Sequence, residues 1–133
     1  LAFGMPMGPI ELADSVGLDI CVAVGRMLAP DAQPPAKLAQ LVAAGHLGRK
    51  TGRGFYEWRN GKPVRTRAPR PRDGLAQRLI GPMIAEAQRA LDDRIVDDAD
   101  LVDAGAIFGT GFAPFRGGPL HYARTVAQGA ARV

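Results

Sequence analysis

Apolar residues recur at helical spacing in short bursts, and a glycine or proline closes each burst. After Gly8-Pro9, the positions Ile10, Leu12, Ala13 and Val16 predict a short helix with proline at its first position and Gly17 as its stop. Asp19 stands where a cap would open a second helix over Ile20 to Leu28, ended by Pro30. Pro35 opens a third, whose Leu38, Leu41 and Val42 share one face before Gly45. The period then changes: Phe55-Tyr56-Glu57-Trp58 alternates, Asn60-Gly61 is the strongest short hairpin signal, and Lys62-Pro63-Val64 returns as a second short strand. Arg65 to Arg72 has no periodicity and is broken by prolines, so it reads as an extended linker. Asp73 is then the expected cap of the longest helix, in which Leu75, Leu79, Ile80, Met83, Ile84, Ala87 and Leu91 keep helical spacing. Gly81-Pro82 should kink it, because Pro82 cannot donate to the carbonyl four residues back. A final pair of helices is expected near Asp98 to Phe108 and Pro119 to Ala127, joined by a glycine-rich turn from Gly109 to Gly118.

That turn repeats the start of the chain. Gly4-Met5-Pro6-Met7-Gly8-Pro9-Ile10 and Gly111-Phe112-Ala113-Pro114-Phe115-Arg116-Gly117-Gly118-Pro119-Leu120 share a glycine, a proline turn, and then Gly-Pro opening an apolar helix. The second copy follows a long helix and a short one, whereas the first follows neither. The chain therefore reads as beginning partway through a repeat, with the matching helices expected upstream of Leu1.

Composition adjusts this picture in two ways. Apolar residues make up 47% of the 133 positions but aromatics only 6%, so the core should be close-packed Ala, Leu, Val and Ile, and disorder is not expected. The formal net charge of +4 hides a belt: Arg49, Lys50, Arg53, Arg59, Lys62, Arg65, Arg67, Arg70 and Arg72 face only Glu57 between residues 49 and 72, and the remainder is mildly acidic. The single Cys21 excludes an internal disulfide, and with only His46 and His121 beside it no ordinary zinc spacing exists, so no metal site is expected. Cys21 lies in Ile20-Cys21-Val22-Ala23-Val24 and reads as helix core. No apolar run reaches the roughly 18 residues of a membrane span, Leu1 opens no signal peptide, and the chain reads as excised from something longer.

Among chemical motifs, Gly48-Arg49-Lys50-Thr51-Gly52-Arg53-Gly54 is the most phosphate-seeking: its glycines let backbone amides converge and its three cations supply charge. It is not a Walker loop, because Arg49 stands where glycine must precede Lys-Thr, and it precedes a strand. Gly109-Thr110-Gly111 lacks the third glycine and the preceding strand of a dinucleotide fingerprint. His46 and His121 have no adjacent nucleophile or paired carboxylate. Asp97, Asp98, Asp100 and Asp103 lack the glycine and the closing glutamate of a calcium loop, and read instead as capping and charging a helix N-terminus. No nucleophile and base pair up, so no catalytic residue is assigned.

Taken in order, four motifs are recognisable: Gly4 to Asp19, Gly45-His46-Leu47-Gly48-Arg49-Lys50-Thr51-Gly52-Arg53-Gly54-Phe55-Tyr56, Arg78 to Ala87, and Gly109-Thr110-Gly111-Phe112 through Phe115-Arg116-Gly117-Gly118-Pro119. Together they resemble the C-terminal helical region of 3-hydroxyacyl-CoA dehydrogenases. Two tandem copies look like the multifunctional form, in which an enoyl-CoA hydratase region precedes the dehydrogenase. The resemblance implies an all-α fold of short helices in two tandem repeats, the first truncated, with a small β-hairpin near 54–64. Residues 1–64 would form the first repeat, 65–73 the basic linker and 74–133 the second.

It further implies an NAD-dependent oxidation of L-3-hydroxyacyl-CoA to 3-ketoacyl-CoA in fatty-acid β-oxidation. NAD and the catalytic His-Glu pair would belong to an upstream Rossmann domain. This segment would close the substrate cleft, pack domains or subunits, and be inactive alone. By the same resemblance Lys50 would approach the cofactor, and Pro6 and Met7 would lie near the acyl-binding cleft. Phe108 would occupy a substrate-facing position that is often tyrosine in the family; phenylalanine keeps the ring without the hydroxyl. Asp14 and Gly17 of the first copy correspond to Arg124 and Ala127 of the second, so the first copy is expected to keep the motif's packing in full. Expected partners are the acyl-CoA substrate and the upstream domain, with a homodimer left open, no nucleic acid, and a cytoplasmic location. The alternative reading is a non-catalytic helical oligomerisation module.

Overall fold

A computed structural model describes residues 3–65 and 74–130, the last three by backbone alone. The chain divides into two compact units, Met7–Pro69 and Leu1–Pro6 with Arg70–Val133. Both are mostly helical, and the one small sheet among the described residues lies in the first.

In the first unit α1 (Pro9–Val16), α2 (Leu18–Leu28) and α3 (Ala36–Ala43) precede a hairpin of β1 (Glu57–Arg59) and β2 (Lys62–Val64). Gly17 turns the chain between α1 and α2 at φ 114°, a value that favours glycine, while its N–H donates to the Ala13 carbonyl at 2.9 Å. Leu18 follows without any exposed surface, and its N–H reaches the Leu47 carbonyl at 3.1 Å. Burying such a leucine contributes roughly 1.5–3 kcal/mol. The same residue thus starts α2 and ties it to the turn that begins at Gly48. Asp19 sits in the first turn of α2 but does not cap it, since the helix opens from Gly17 two residues earlier than expected and no side chain takes its amides. Asn60 and Gly61 adopt φ 51° and 73°, as a two-residue hairpin turn with both central residues left-handed requires. The strands begin only at Glu57, because the amides of Phe55 and Tyr56 go elsewhere.

The second unit packs α4 (Leu75–Asp92), α5 (Ala99–Thr110) and α6 (Pro119–Ala130) against one another. The linker from 66 and the expected cap Asp73 lie outside the described residues; α4 opens from Gly74 at φ 74°. It runs through Pro82 as one helix, and because Pro82 is exposed, solvent can serve the carbonyl it leaves. Asp98 caps α5 as expected, accepting the Leu101 N–H at 2.9 Å. The core joins Ile80, Val102 and Leu120 to Phe112 and Ala113, neither of which has exposed surface. Leu18 and Leu41 make the first unit's core aliphatic, as expected, but the second is built round an aromatic ring. Phe3 stands edge-on to Phe112 at 5.6 Å and to Tyr122 at 5.1 Å. The opening segment therefore packs in the second unit, whereas the expected boundary kept it with the first.

Candidate functional site

The Gly48 to Tyr56 turn is organised by a carboxylate that the sequence reading left to packing. Asp14, on the face of α1 that carries Ile10, Ala13 and Gly17, is fully buried. Its Oδ1 accepts the Phe55 N–H at 2.9 Å, and its Oδ2 accepts the Tyr56 N–H at 2.9 Å and the Trp58 Nε1–H at 3.0 Å. Three donors on one ionised acceptor make a buried charge tolerable. Gly54 passes so close that a Cβ there would overlap the Asp14 carboxylate.

Four of the turn's own amides bond inward. Gly48 N–H donates to the Arg53 carbonyl at 2.8 Å, Thr51 to Gly48 at 3.1 Å, Gly52 to Arg49 at 3.2 Å, and Gly54 to Tyr56 at 2.9 Å. The Thr51 hydroxyl adds to this, accepting the Leu47 N–H at 2.9 Å and donating to the Arg53 carbonyl at 3.0 Å. The glycines thus fold the turn onto Asp14, and these amides do not form a nest for an anion.

The three cations of the turn part company. Lys50 Nζ donates to both Asp19 oxygens, at 2.6 and 2.7 Å, which holds the Asp19 carboxyl below its ordinary range. Arg49 lies over the Trp58 ring at 6.0 Å. Arg53 joins Lys37 and His46 around an open groove beside Tyr56. Beyond the turn, Arg65 pairs with Glu11. Within the described residues, the belt read from composition therefore does not converge: Lys50, Arg59 and Arg65 each pair with a separate carboxylate, and Arg49 lies over Trp58.

The second unit has its own buried carboxylate. Asp103 of α5, 4% exposed, accepts the Leu120 N–H at 2.7 Å and the His121 N–H at 2.9 Å, and so caps the first turn of α6. It does not charge a solvated helix start, as its place in the acidic cluster suggested. Gly118, at φ 100°, lies against it so closely that a Cβ would overlap the carboxylate. Arg124, which stands where the first copy has Asp14, brings Nη2 to 3.8 Å from Asp103 Oδ2. Arg116 donates from Nε to the Phe3 carbonyl at 2.7 Å and lies 4.2 Å from that ring and 5.2 Å from Tyr122. Of the expected substrate-facing residues in this unit, Pro6 packs at Gly111, and Phe108 on α5 is 90% exposed. Met7 belongs to the first unit and is partly exposed. Cys21 lies partly buried on α2, and His121 is exposed. No group of three His, Cys, Asp or Glu side chains able to hold a metal ion occurs among the described residues, and none of their helices is long and apolar enough to cross a membrane.

The first unit is thus a helical unit whose glycine-rich turn is clamped by the buried Asp14 of α1. Residues 1–58 match the family model of the 3-hydroxyacyl-CoA dehydrogenase C-terminal domain. The chain is similar to the fatty acid oxidation complex subunit alpha of Shewanella sp. (strain MR-4), 35% identical over 93% of this chain and 20% of the relative. It is likewise similar to that of Vibrio cholerae serotype O1, 38% identical over 95% of this chain and 20% of the relative. The chain thus spans about a fifth of the length of these relatives.

Proposed function

We propose that this chain is the C-terminal helical part of an NAD-dependent 3-hydroxyacyl-CoA dehydrogenase that oxidises L-3-hydroxyacyl-CoA to 3-ketoacyl-CoA in fatty-acid β-oxidation. The observation that carries the reading is the family match over residues 1–58 together with similarity to fatty acid oxidation complex alpha subunits along nearly the whole chain. NAD, bound mainly by an upstream domain, supplies the hydride acceptor for C3 of the substrate. The residues here suit one peripheral contact with that cofactor rather than a cradle. Four of the turn's amides, including those of Gly48, Gly52 and Gly54, bond inward, and Asp19 takes two of the three Lys50 ammonium hydrogens, leaving one for an anionic group. The work of this segment is to close the substrate cleft, with Pro6, Met7 and Phe108 as its substrate-facing residues, and to pack against the rest of the enzyme.

We further propose that Met7–Pro69 is a repeat whose first two helices lie upstream. In the second unit α5 supplies the carboxylate that caps α6, whereas no side chain among the described residues caps α1. The uncovered apolar residues Ile20 and Val24 of α2 are then covered by the rest of the enzyme. A second reading, a helical oligomerisation module, draws on the same exposed residues.

Steady-state kinetics on the full-length enzyme test the proposal. L-3-hydroxyacyl-CoA should drive NADH formation by the full-length protein and not by the 133-residue chain, and Lys50→Ala should raise KM for NAD several-fold with little change in kcat. NADH formation by the chain alone overturns the reading of a segment inactive by itself, and none by the full-length protein overturns the dehydrogenase reading. Concentration-dependent self-association of the chain, with no activity in the full-length protein, favours the module.

A further inference from the structure

Of the cations in the Gly48 to Gly54 turn, Arg53 lines a groove. Lys50 is taken by Asp19, and Arg49 lies over Trp58. The groove that Arg53 lines has a volume of about 340 Å³, and Lys37 and Gln40 of α3, His46, Tyr56 and Glu57 also line it. That size falls at the lower end of small-molecule sites. Among the described residues neither Lys37 nor Arg53 makes an ion pair, and the one carboxylate at the rim, Glu57, is paired with Arg59 at 3.5 Å. Two permanent cations from separate elements therefore share one concave surface with an imidazole, a side-chain amide and an aromatic residue.

We infer that this groove binds the phosphate monoester of a molecule that also carries a flat ring, such as a nucleoside monophosphate, with Arg53 and Lys37 as its charge partners, Gln40 and His46 as hydrogen-bonding groups, and Tyr56 against the ring. A phosphate monoester carries between one and two negative charges near neutral pH and three acceptor oxygens. It therefore matches two cations, where a carboxylate would satisfy only one. Arginine suits the bidentate geometry of such a group, and lysine adds a point charge. This site lies apart from the Lys50 contact proposed for NAD and does not rest on the dehydrogenase reading.

Isothermal titration of the 133-residue chain with AMP, inorganic phosphate and adenosine tests it. AMP should bind saturably, inorganic phosphate should compete for the same site more weakly, and adenosine should not bind measurably. Arg53→Ala should weaken AMP roughly tenfold, as loss of a charge-assisted contact would. Lys37→Ala should do the same, and because Lys37 lies on α3 away from the Asp14 hydrogen bonds, this variant keeps the test independent of any disturbance of the turn. Lys50→Ala should leave AMP affinity within about twofold, since its ammonium is elsewhere. Absent or non-saturating AMP binding overturns the inference. So does adenosine binding equal to AMP, indifference to both Arg53→Ala and Lys37→Ala, or an equal loss with Lys50→Ala.

Discussion

Replacing Asp14 tests how the first unit is held together. Asp14→Ala removes an acceptor that serves three donors, Phe55 N, Tyr56 N and Trp58 Nε1, at 2.9, 2.9 and 3.0 Å in a side chain with no exposed surface. A hydrogen bond to a charged group contributes about 1.5–3 kcal/mol, and a buried donor left unpaired costs about 1–3 kcal/mol. Water entering the vacated space recovers part of this, so a loss of about 3–5 kcal/mol is expected, a large share of a domain's usual 5–15 kcal/mol. Asp14→Asn is the sharper variant. Its one carbonyl oxygen can keep the two bonds now made by Oδ2, but its amide nitrogen must then meet the Phe55 N–H donor to donor, for a loss of about 1–3 kcal/mol. Urea unfolding followed by tryptophan emission is the appropriate assay, because Trp58 is the only tryptophan and its indole is one of the three donors. With a typical slope of about 1–3 kcal/mol per molar urea, Asp14→Ala should lower the midpoint by about 2 M, and Asp14→Asn by about half of that. If both variants stay within about 0.5 kcal/mol of the parent, the buried carboxylate does not organise the turn and the reasoning fails.

Three further outcomes follow from the same geometry. Asp103→Ala should destabilise the second unit by about 2–4 kcal/mol, because it strips the cap from Leu120 and His121, and amide hydrogen exchange should quicken at those two residues before the rest of α6. Gly118→Ala, which forces a Cβ against Asp103 from φ 100°, should cost about 2–4 kcal/mol by thermal unfolding, whereas Gly105→Ala, inside α5 with open space around it, should gain about 0.5–1 kcal/mol. The Lys50 contact holds the Asp19 carboxyl below its unfolded value, so its contribution is present above the unfolded value near pH 4 and is lost as pH falls through the folded value. Asp19→Asn should accordingly flatten the fall of stability below about pH 4 and leave the profile above it nearly parallel to the parent's.

Much of the fold was legible because its signals are local. Gly17 ends α1, Asn60-Gly61 closes the hairpin and Asp98 caps α5, and each acts on amides within a few residues of itself. The buried aspartates act at a distance. Asp14 serves donors 41 to 44 positions away and Asp103 donors 17 and 18 positions away, so no window of helical period contains both the carboxylate and its partners. One signal was present for each. Asp14 lies on the same stripe of α1 as Ile10, Ala13 and Gly17, and Asp103 on that of Ala99, Ala106 and Ile107. A carboxylate inside an apolar stripe must be paired by something outside the helix. The place of Phe3 was equally illegible, because its ring contacts are with Phe112 and Tyr122, more than a hundred positions later.

The Gly48 to Gly54 turn explains why composition pointed to chemistry that its backbone does not perform. Glycine and cations in alternation suggest amides freed for an anion, and two of the turn's glycines are indeed irreplaceable, but for another reason. A Cβ at Gly48 would overlap the Asp14 backbone, and one at Gly54 its carboxylate. The small residues are therefore spent on close approach to α1, and once the turn is seated there the amides of Gly48, Thr51, Gly52 and Gly54 bond to nearby carbonyls. The side chains of the intervening cations are then sent in different directions, to Asp19, to Trp58 and to the groove at α3. A run of charge measures how many cations a segment holds, not whether they converge. Here the turn is seated on α1 through Asp14, and Arg53 is left lining one groove with Lys37.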